Sequence, residues 1–299
     1  MLLAEPQRTP YDLHFQILGF EVRVSPFFWL AAALLGWNLT SGIDEEFSLT
    51  AESAQTVSAM SNEERAALRP EVRADLDLIE SNPGAGMLLL LWIAAIFASI
   101  LIHELGHAFA MRYYGIRAYI VLYHFGGLAV SDSAAGFTGM GRRGDSNQQI
   151  FISAAGPAAQ LLLAGVVIGI LKASGTSLKL RIPFLESIIP LHTGELITSL
   201  PLTALLYFLI LPSVFWALLN LLPVYPLDGG QISREVFTIF SPRDGLKNSL
   251  MLSIATGALV AIYGLTHDDM MLGMMFGMLA FSSYQILQAY SGRGGYGPW

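Results

Sequence analysis

Long apolar runs dominate this chain. Six stretches contain no Asp, Glu, Lys, Arg or His, and they cover residues 24–43, 81–102, 146–171, 196–227, 248–266 and 270–292. A helix of about 20 mostly apolar residues is long enough to cross the hydrocarbon core of a bilayer. The composition agrees, because only 13% of the residues are charged, against about 25% in typical soluble domains. The sequence therefore predicts an integral membrane protein.

The runs predict an all-α polytopic membrane protein with six transmembrane helices, built as a single domain over residues 1–299. The expected spans are about 24–43, 86–110, 150–171, 201–222, 248–266 and 270–290. The fourth run is too long for one helix, and Pro223 and Pro226 break its second half. Residues 117–131 are rich in β-branched and aromatic residues around a Gly pair, which predicts a short membrane-associated β-hairpin after the second helix.

Positive charges indicate the orientation. Lys and Arg concentrate in the cytoplasmic loops of membrane proteins. With a cytoplasmic N-terminus, ten of the 16 Lys and Arg residues fall on the cytoplasmic side. We therefore expect both termini in the cytoplasm of a bacterial or archaeal cell, with the protein in its inner membrane.

The segment 44–80 holds ten of the 23 acidic residues and then lies outside the cytoplasm. It is either a solvated helical hairpin or loop, or an element that recruits substrate. Ser61 stands three residues before Glu64, which predicts a capping box at a helix start.

The composition also excludes several kinds of site. Cys is absent, so the chain has neither a disulfide framework nor a thiolate metal site. The net charge is −7, which leaves no basic face for nucleic acid. The expected partners are the lipid bilayer and other membrane proteins.

The second apolar run leads into HELGH at residues 103–107. His103 and His107 are four residues apart, so they lie on one helix face and both imidazoles can bind one metal ion. Glu104 can reach a water at that ion as a general base. Ionisable residues at membrane depth are costly and usually mark function. The motif predicts a zinc hydrolase site within the membrane, near the end of the helix that carries Arg112.

A catalytic zinc needs a third protein ligand and an open position for water. NLLPVYPLDGG at residues 220–230 closes the fourth run with a broken helix. Irregular backbone at membrane depth is tolerated where it is buried in protein or lines a cavity. Asp228 is therefore the candidate third ligand; read alone, it could also be an ordinary carboxylate in an interfacial turn.

Four motifs of this chain occur in the order found in a known protein family. The chain resembles the site-2 protease family of intramembrane zinc metalloproteases from about Phe15 to Tyr290. The motifs that carry the resemblance are HELGH, FGG at 125–127, AAGP at 154–157 and NLLPVYPLDGG.

The resemblance implies one Zn²⁺ held by His103, His107 and Asp228, with Glu104 as the catalytic glutamate. It also places Asn220 near the active site. There Asn220 either donates a hydrogen bond to the reacting carbonyl or the substrate backbone, or joins two helices.

The resemblance further implies a membrane-embedded strand near Gly126 and Gly127 that receives substrate. His124 stands beside this Gly pair and either lines the substrate channel or is a core histidine bonded to backbone. The implied function is zinc-dependent intramembrane endopeptidase activity on the transmembrane segments of membrane proteins, such as an anti-sigma factor or another membrane-tethered regulator. Two other functions are considered: a polytopic metal-ion transporter and a catalytically silent membrane scaffold.

The chain also departs from its relatives. The loop at about 172–195 is too short for the PDZ module that some of them insert, and no CBS pair follows the sixth span, so a minimal catalytic core is expected. Gln160 stands where relatives often carry Asn. Gly273 and Gly277 have GxxxG spacing, which predicts close helix packing rather than copper binding. The remaining histidines are expected to be surface or packing residues: His14, His192 and His267.

Overall fold

The computed structural model describes residues 7–124, 126–131 and 145–292, so Phe125 of the FGG motif lies outside the described residues. The chain is mostly helical. The long helices are α1 (Pro26–Glu46), α5 (Ala85–Tyr113), α6 (Ser146–Ala173), α8 (Leu200–Asn220), α10 (Gly245–Thr266) and α11 (Met270–Gly292). The shorter helices are α2 (Ala51–Ala59), α3 (Asn62–Ala67), α4 (Pro70–Glu80), α7 (Pro183–Glu186) and α9 (Asp228–Phe240).

Five of the helices in the described residues are long and apolar enough to cross a membrane: α5, α6, α8, α10 and α11. The protein is therefore an integral membrane protein, and these helices correspond to five of the six predicted spans. The remaining span, at 24–43, corresponds to α1, which is not among the five. The second half of α1 carries polar and acidic residues in the stretch WNLTSGIDEE, which lowers its hydropathy. A sixth span stays a prediction.

Helix α5 is the centre of the packing. It contacts α1, α6 and α8, and it also lies against two strands, Ala118–Tyr123 and Gly126–Ser131. The Trp92 indole donates a hydrogen bond to the Ala32 carbonyl of α1 at 2.9 Å. The apolar core around α5 includes Ala95, Leu105 and Phe208, all of which are buried. Most residues between Ser99 and Met111 of α5 are thus buried in protein.

A small four-stranded sheet accompanies the helices, so the fold is mostly helical rather than all-α. Its strands are β1 (Leu13–Ile17), β2 (Phe20–Val24), β3 (Ala118–Tyr123) and β4 (Gly126–Ser131), in that spatial order. β1 pairs antiparallel with β2, β2 parallel with β3, and β3 antiparallel with β4. The sequence predicted strands only at 117–131. β4 is an edge strand of this sheet. A second sheet contains only β5 (Thr176–Ser177) and β6 (Glu195–Leu196).

The acidic segment 44–80 folds into helices α2, α3 and α4. The predicted capping box is confirmed, because the Glu64 backbone N–H donates to Ser61 Oγ at 3.2 Å and the Ser61 N–H donates to Glu64 Oε2 at 2.7 Å. The Ser61 backbone N–H and the Ser61 hydroxyl, the latter at 2.9 Å, both donate to the Glu64 carboxylate and lower its pKa. An ion pair of 2.7 Å between Lys179 and Asp75 joins α4 to the loop after α6. The segment is therefore attached to the rest of the chain.

The last two long helices, α10 and α11, pack closely. A Cβ atom on Gly264 would lie 2.6 Å from the backbone nitrogen of Gly273, and one on Gly273 would lie 2.8 Å from Leu265. Small residues allow this approach between helix backbones. The close packing predicted around Gly273 is confirmed.

Candidate active site

The HELGH motif lies in the second half of α5, and its three polar side chains are buried. Because His103 and His107 are one helical turn apart, their rings face the same side of the helix. The two Nε2 atoms lie 3.1 Å apart. Local helix geometry therefore brings two potential metal ligands to one point.

Asp228 reaches the same point from another part of the chain. It is the first residue of α9 and follows the irregular segment 221–227 that ends α8. Its Oδ2 atom lies 3.2 Å from His103 Nε2, and its Oδ1 atom lies 3.3 Å from His107 Nε2. The potential ligand atoms of His103, His107 and Asp228 all lie within 4.8 Å of one another. This geometry is that of a possible metal site.

The hydrogen bonds of the two histidines fit a metal centre. The carbonyl of Ile152 can only accept, so the contact of 2.7 Å with His107 Nδ1 requires a proton on that nitrogen. His103 Nδ1 lies 3.0 Å from Oε1 of Gln160, also an acceptor. In neutral imidazoles this leaves both Nε2 lone pairs directed at the Asp228 side of the site.

The charge at this point also fits a cation. Asp228 Oδ2 is buried and accepts no hydrogen bond from the described residues. A buried carboxylate without a donor is costly unless a positive charge compensates it. A carboxylate and two imidazoles form a nitrogen and oxygen ligand set that suits zinc. The three side chains therefore fit a zinc ion.

Helix α6 makes room for His107 at the AAGP motif. A Cβ atom on Gly156 would lie 2.3 Å from His107 Nε2 and 2.5 Å from Cε1 of the same ring. A larger residue would have to displace the imidazole from Asp228. The absence of a side chain at Gly156 thus leaves the space that the His107 imidazole occupies.

Strand β4 passes directly beside Glu104. A Cβ atom on Gly127 would lie 2.4 Å from Glu104 Cγ and 2.5 Å from its Oε1. Glycine is therefore needed where the strand crosses the glutamate. Glu104 is 4% exposed, and its carboxylate faces a cavity rather than bulk solvent.

A cavity of about 390 Å³ contains these groups. Besides His103, Glu104, His107 and Asp228, it is lined by residues of β4, the end of α8 and part of α11. The predicted residues Gly126, Gly127 and Asn220 are among its lining residues. His124 instead lies on the exposed turn after β3 and lines a smaller cavity of about 40 Å³. The structure thus brings together every predicted site residue except His124, whose role stays a prediction.

The sequence assigned no role to several polar residues around the site. Gln160 of α6 contacts His103, and Ser99 and Ser213 extend this contact to α8. Ser253 of α10 and Ser283 of α11 contact the backbone of Tyr225 in the segment before Asp228. Gln160 is a rare amide within an apolar run, which is a usable signal. Serines occur too often in such runs to stand out.

Known proteins share features with this chain. The model of peptidase family M50 matches residues 91–263. A zinc metalloprotease of Methanocaldococcus jannaschii is 26% identical over 193 residues, which make up 64% of this chain and 44% of that protein. The aligned part thus spans less than half of that curated relative. Among solved structures, a site-2 protease from Methanocaldococcus jannaschii superposes with a TM-score of 0.46 and 19% identity, covering 93% of this chain and 95% of that one.

Proposed function

Because the chain belongs to peptidase family M50, the site-2 protease family, we propose that it is a zinc-dependent intramembrane endopeptidase. Its substrates are the transmembrane segments of other membrane proteins. The observation that carries the proposal is the buried group of His103, His107 and Asp228 with Glu104 beside it in one cavity. The M50 match covers HELGH and Asp228 alike.

In this proposal His103, His107 and Asp228 hold one Zn²⁺ through the two Nε2 atoms and the carboxylate. When bound, zinc would act as a Lewis acid that polarises the carbonyl of the scissile peptide and makes water a stronger nucleophile near neutral pH. Three protein ligands leave a coordination position open, as catalytic sites require.

Glu104 is the proposed general base. It takes a proton from the attacking water while the water oxygen bonds to the carbonyl carbon of the scissile peptide. The carbon–nitrogen bond then breaks, and Glu104 returns the proton to the leaving amine. Its burial beside Gly127 supports this role, because the carboxylate is held between the site and the strand that borders the cavity.

Asn220 is a proposed catalytic residue in the same cavity. Its side-chain amide is a donor that can stabilise the negative charge developing on the carbonyl oxygen. Its place at the last position of α8, within the lining of the cavity, supports this role over a contact between two helices.

Strand β4 is the proposed docking edge for substrate. It pairs with β3 on one side and lines the cavity from Gly126 to Ser131. A substrate added as a further strand satisfies the backbone groups that are freed when its helix unwinds. Gly126 and Gly127 keep this edge close to Glu104.

The site lies near one end of α5. At about 1.5 Å per residue, His103 is about 27 Å along the helix from Ala85. Arg112 lies near the C-terminal end of the helix, which is the end nearer to the site, with its guanidinium 3.5 Å from the ring of Phe20. We propose that this end is cytoplasmic, as the distribution of Lys and Arg favours, with both termini in the cytoplasm and α1 as a sixth span. Water then reaches the site from the cytoplasmic side.

Metal-ion transport is less well supported. A transport path needs several coordinating groups arranged in steps across the membrane. In the described residues, the five apolar helices carry no His, Asp or Glu besides His103, Glu104 and His107. One metal site without further coordinating groups along these helices favours catalysis over transport.

The proposal can be tested in cells. Membrane-protein fragments are compared by mass spectrometry between cells that make the wild type and cells that make Glu104→Gln. We expect wild-type cells to contain fragments cut within an apolar segment of a single-span protein, such as a membrane-tethered regulator, and we expect these fragments to be missing with the variant. Identical fragment sets in the two strains would contradict the proposed function.

A further inference from the structure

A chain of hydrogen bonds leads away from the metal site through three helices. His103 Nδ1 of α5 lies 3.0 Å from Gln160 Oε1 of α6. The Gln160 Nε2 amide donates to Ser99 Oγ at 2.8 Å. Ser99 Oγ in turn lies 2.9 Å from Ser213 Oγ of α8. The chain thus links His103 to α6 and α8, two of the helices that pack against α5.

These polar groups are enclosed by protein. Gln160, Ser99 and Ser213 are each 0% exposed. Buried polar groups are costly unless they are hydrogen-bonded. One direction of donation is consistent along the chain: His103 Nδ1–H to Gln160, the Gln160 amide to Ser99, and the Ser99 hydroxyl to Ser213. These buried hydrogen bonds can therefore hold the Gln160 amide in one orientation.

The network bears on which nitrogen of His103 carries the proton. A neutral imidazole has one N–H, and an acceptor at Nδ1 keeps the proton there. Nε2 then presents a lone pair toward Asp228, which lies 3.2 Å away. If the Gln160 amide were reversed, its NH₂ group would face Nδ1, and the proton would move to Nε2 and block that ligand atom.

The two histidines have different kinds of acceptor at Nδ1. His107 Nδ1 donates to the backbone carbonyl of Ile152, which no substitution removes. His103 depends on a side chain. A substitution at Gln160 can therefore change the orientation of the His103 ring. The His107 ring keeps its acceptor whatever side chain stands at residue 152.

We propose that Gln160 is a positioning residue for the metal centre: it fixes the tautomer and ring orientation of His103, while Ser99 and Ser213 hold its amide. This inference rests on the proposed function and deepens it. Outer hydrogen-bond partners of metal-ligating histidines typically change metal affinity by about 10- to 100-fold when they are lost. Gln160 does not line the cavity that holds the metal site, so it acts through His103.

The test measures metal binding rather than cleavage. The full chain is purified in detergent as wild type, Gln160→Met and Gln160→Glu. Met has a similar length without a hydrogen bond, whereas Glu keeps an acceptor oxygen. Zinc Kd is measured by competition with a chelator, and Co²⁺-loaded protein is compared by its ligand-field absorption.

We expect Gln160→Met to raise the zinc Kd about 10- to 100-fold and to alter the Co²⁺ spectrum, and Gln160→Glu to restore both toward wild type. A wild-type Kd and spectrum in Gln160→Met would overturn the inference, as would equal losses in the Met and Glu variants. Failure of the wild type to bind zinc would instead count against the proposed function.

A second pair of variants decides the question if Gln160→Met does not fold. Ser213→Ala breaks the far end of the network. Ser249→Ala removes a buried hydroxyl whose one recorded hydrogen bond, among the residues that the structure describes, is to the Leu246 carbonyl of its own helix at 2.9 Å. We expect the zinc Kd to rise in Ser213→Ala and to stay unchanged in Ser249→Ala. Equal Kd values in the two would overturn the role of the network.

Discussion

The two halves of the candidate metal site are built in different ways. His103 and His107 come from consecutive turns of α5, so regular helix geometry sets their separation. Asp228 comes from the start of α9, more than 100 residues later, after a segment of irregular backbone. The histidine half depends on local structure, whereas the aspartate half depends on contacts between distant segments.

The contacts of the aspartate half are close and specific. A Cβ atom on Gly229 would lie 2.1 Å from the Leu221 carbonyl oxygen, so the start of α9 lies against the end of α8. The Tyr225 backbone N–H donates to Ser253 Oγ at 2.8 Å, and Ser283 Oγ donates to the Tyr225 carbonyl at 3.4 Å. The two serine hydroxyls lie 2.8 Å apart. Helices α10 and α11 thus hold the segment that carries Asp228.

Removal of a ligand from either half should have the largest effect. We expect His103→Ala and Asp228→Ala each to weaken zinc binding by more than about 100-fold, beyond the usual effect of losing an outer hydrogen bond. The metal content of purified protein, measured by elemental analysis, checks this. Wild-type zinc content in Asp228→Ala would mean that another residue is the third ligand and that the two halves do not share one ion.

A change in the backbone of the aspartate half should have the next largest effect. In Gly229→Ala the new methyl group collides with backbone, and overpacking of this kind costs about 1–3 kcal/mol. If the displacement falls on Asp228, zinc affinity drops by about 10- to 100-fold. Zinc titration by chelator competition measures the change.

Gly165→Ala is the matched control for that substitution. Gly165 lies in α6, and a Cβ atom there would meet nothing within 4 Å. We expect wild-type zinc affinity in this variant. If Gly229→Ala binds zinc as tightly as Gly165→Ala, the close approach of α9 to α8 does not determine where Asp228 lies.

Loss of one serine contact should have the smallest effect. Ser253→Ala removes the acceptor of the Tyr225 N–H, and a buried donor without a partner costs about 1–3 kcal/mol. Because Ser283 still contacts Tyr225, zinc affinity should fall less than in Gly229→Ala. Thermal unfolding and zinc titration report the two effects, with Ser249→Ala as the control. Equal unfolding temperatures for Ser253→Ala and Ser249→Ala would show that the serine contact does not hold this segment.

The same contrast explains what could be predicted from the sequence. The position of His103, Glu104 and His107 on one helix follows from their spacing. Five apolar runs form helices that are long and apolar enough to cross a membrane, because their composition alone is decisive. The predicted meeting of Asp228 with the histidines came from its place in an irregular segment at membrane depth, and the order of motifs shared with a known family supported it. In the described residues, these three side chains do come together.

The features that were missed depend on segments that are distant in the sequence. β1 and β2 join the sheet through the parallel pairing of Val22 with Ile120, which no local pattern indicates. The role of Gln160 depends on the approach of α6 to α5, and that of Ser253 on the approach of α10 to the segment before α9. Such contacts are set by tertiary packing, and single polar residues in apolar runs do not identify their partners.

The most direct test of the proposed chemistry is Glu104→Gln in the purified full chain. Zinc content and cleavage of a transmembrane substrate are measured on the same preparations as for the wild type. We predict wild-type zinc content, because Glu104 is not among the three ligands, and a loss of cleavage of about 10²- to 10⁴-fold, the range for removing a general base. Cleavage at the wild-type rate would contradict the account.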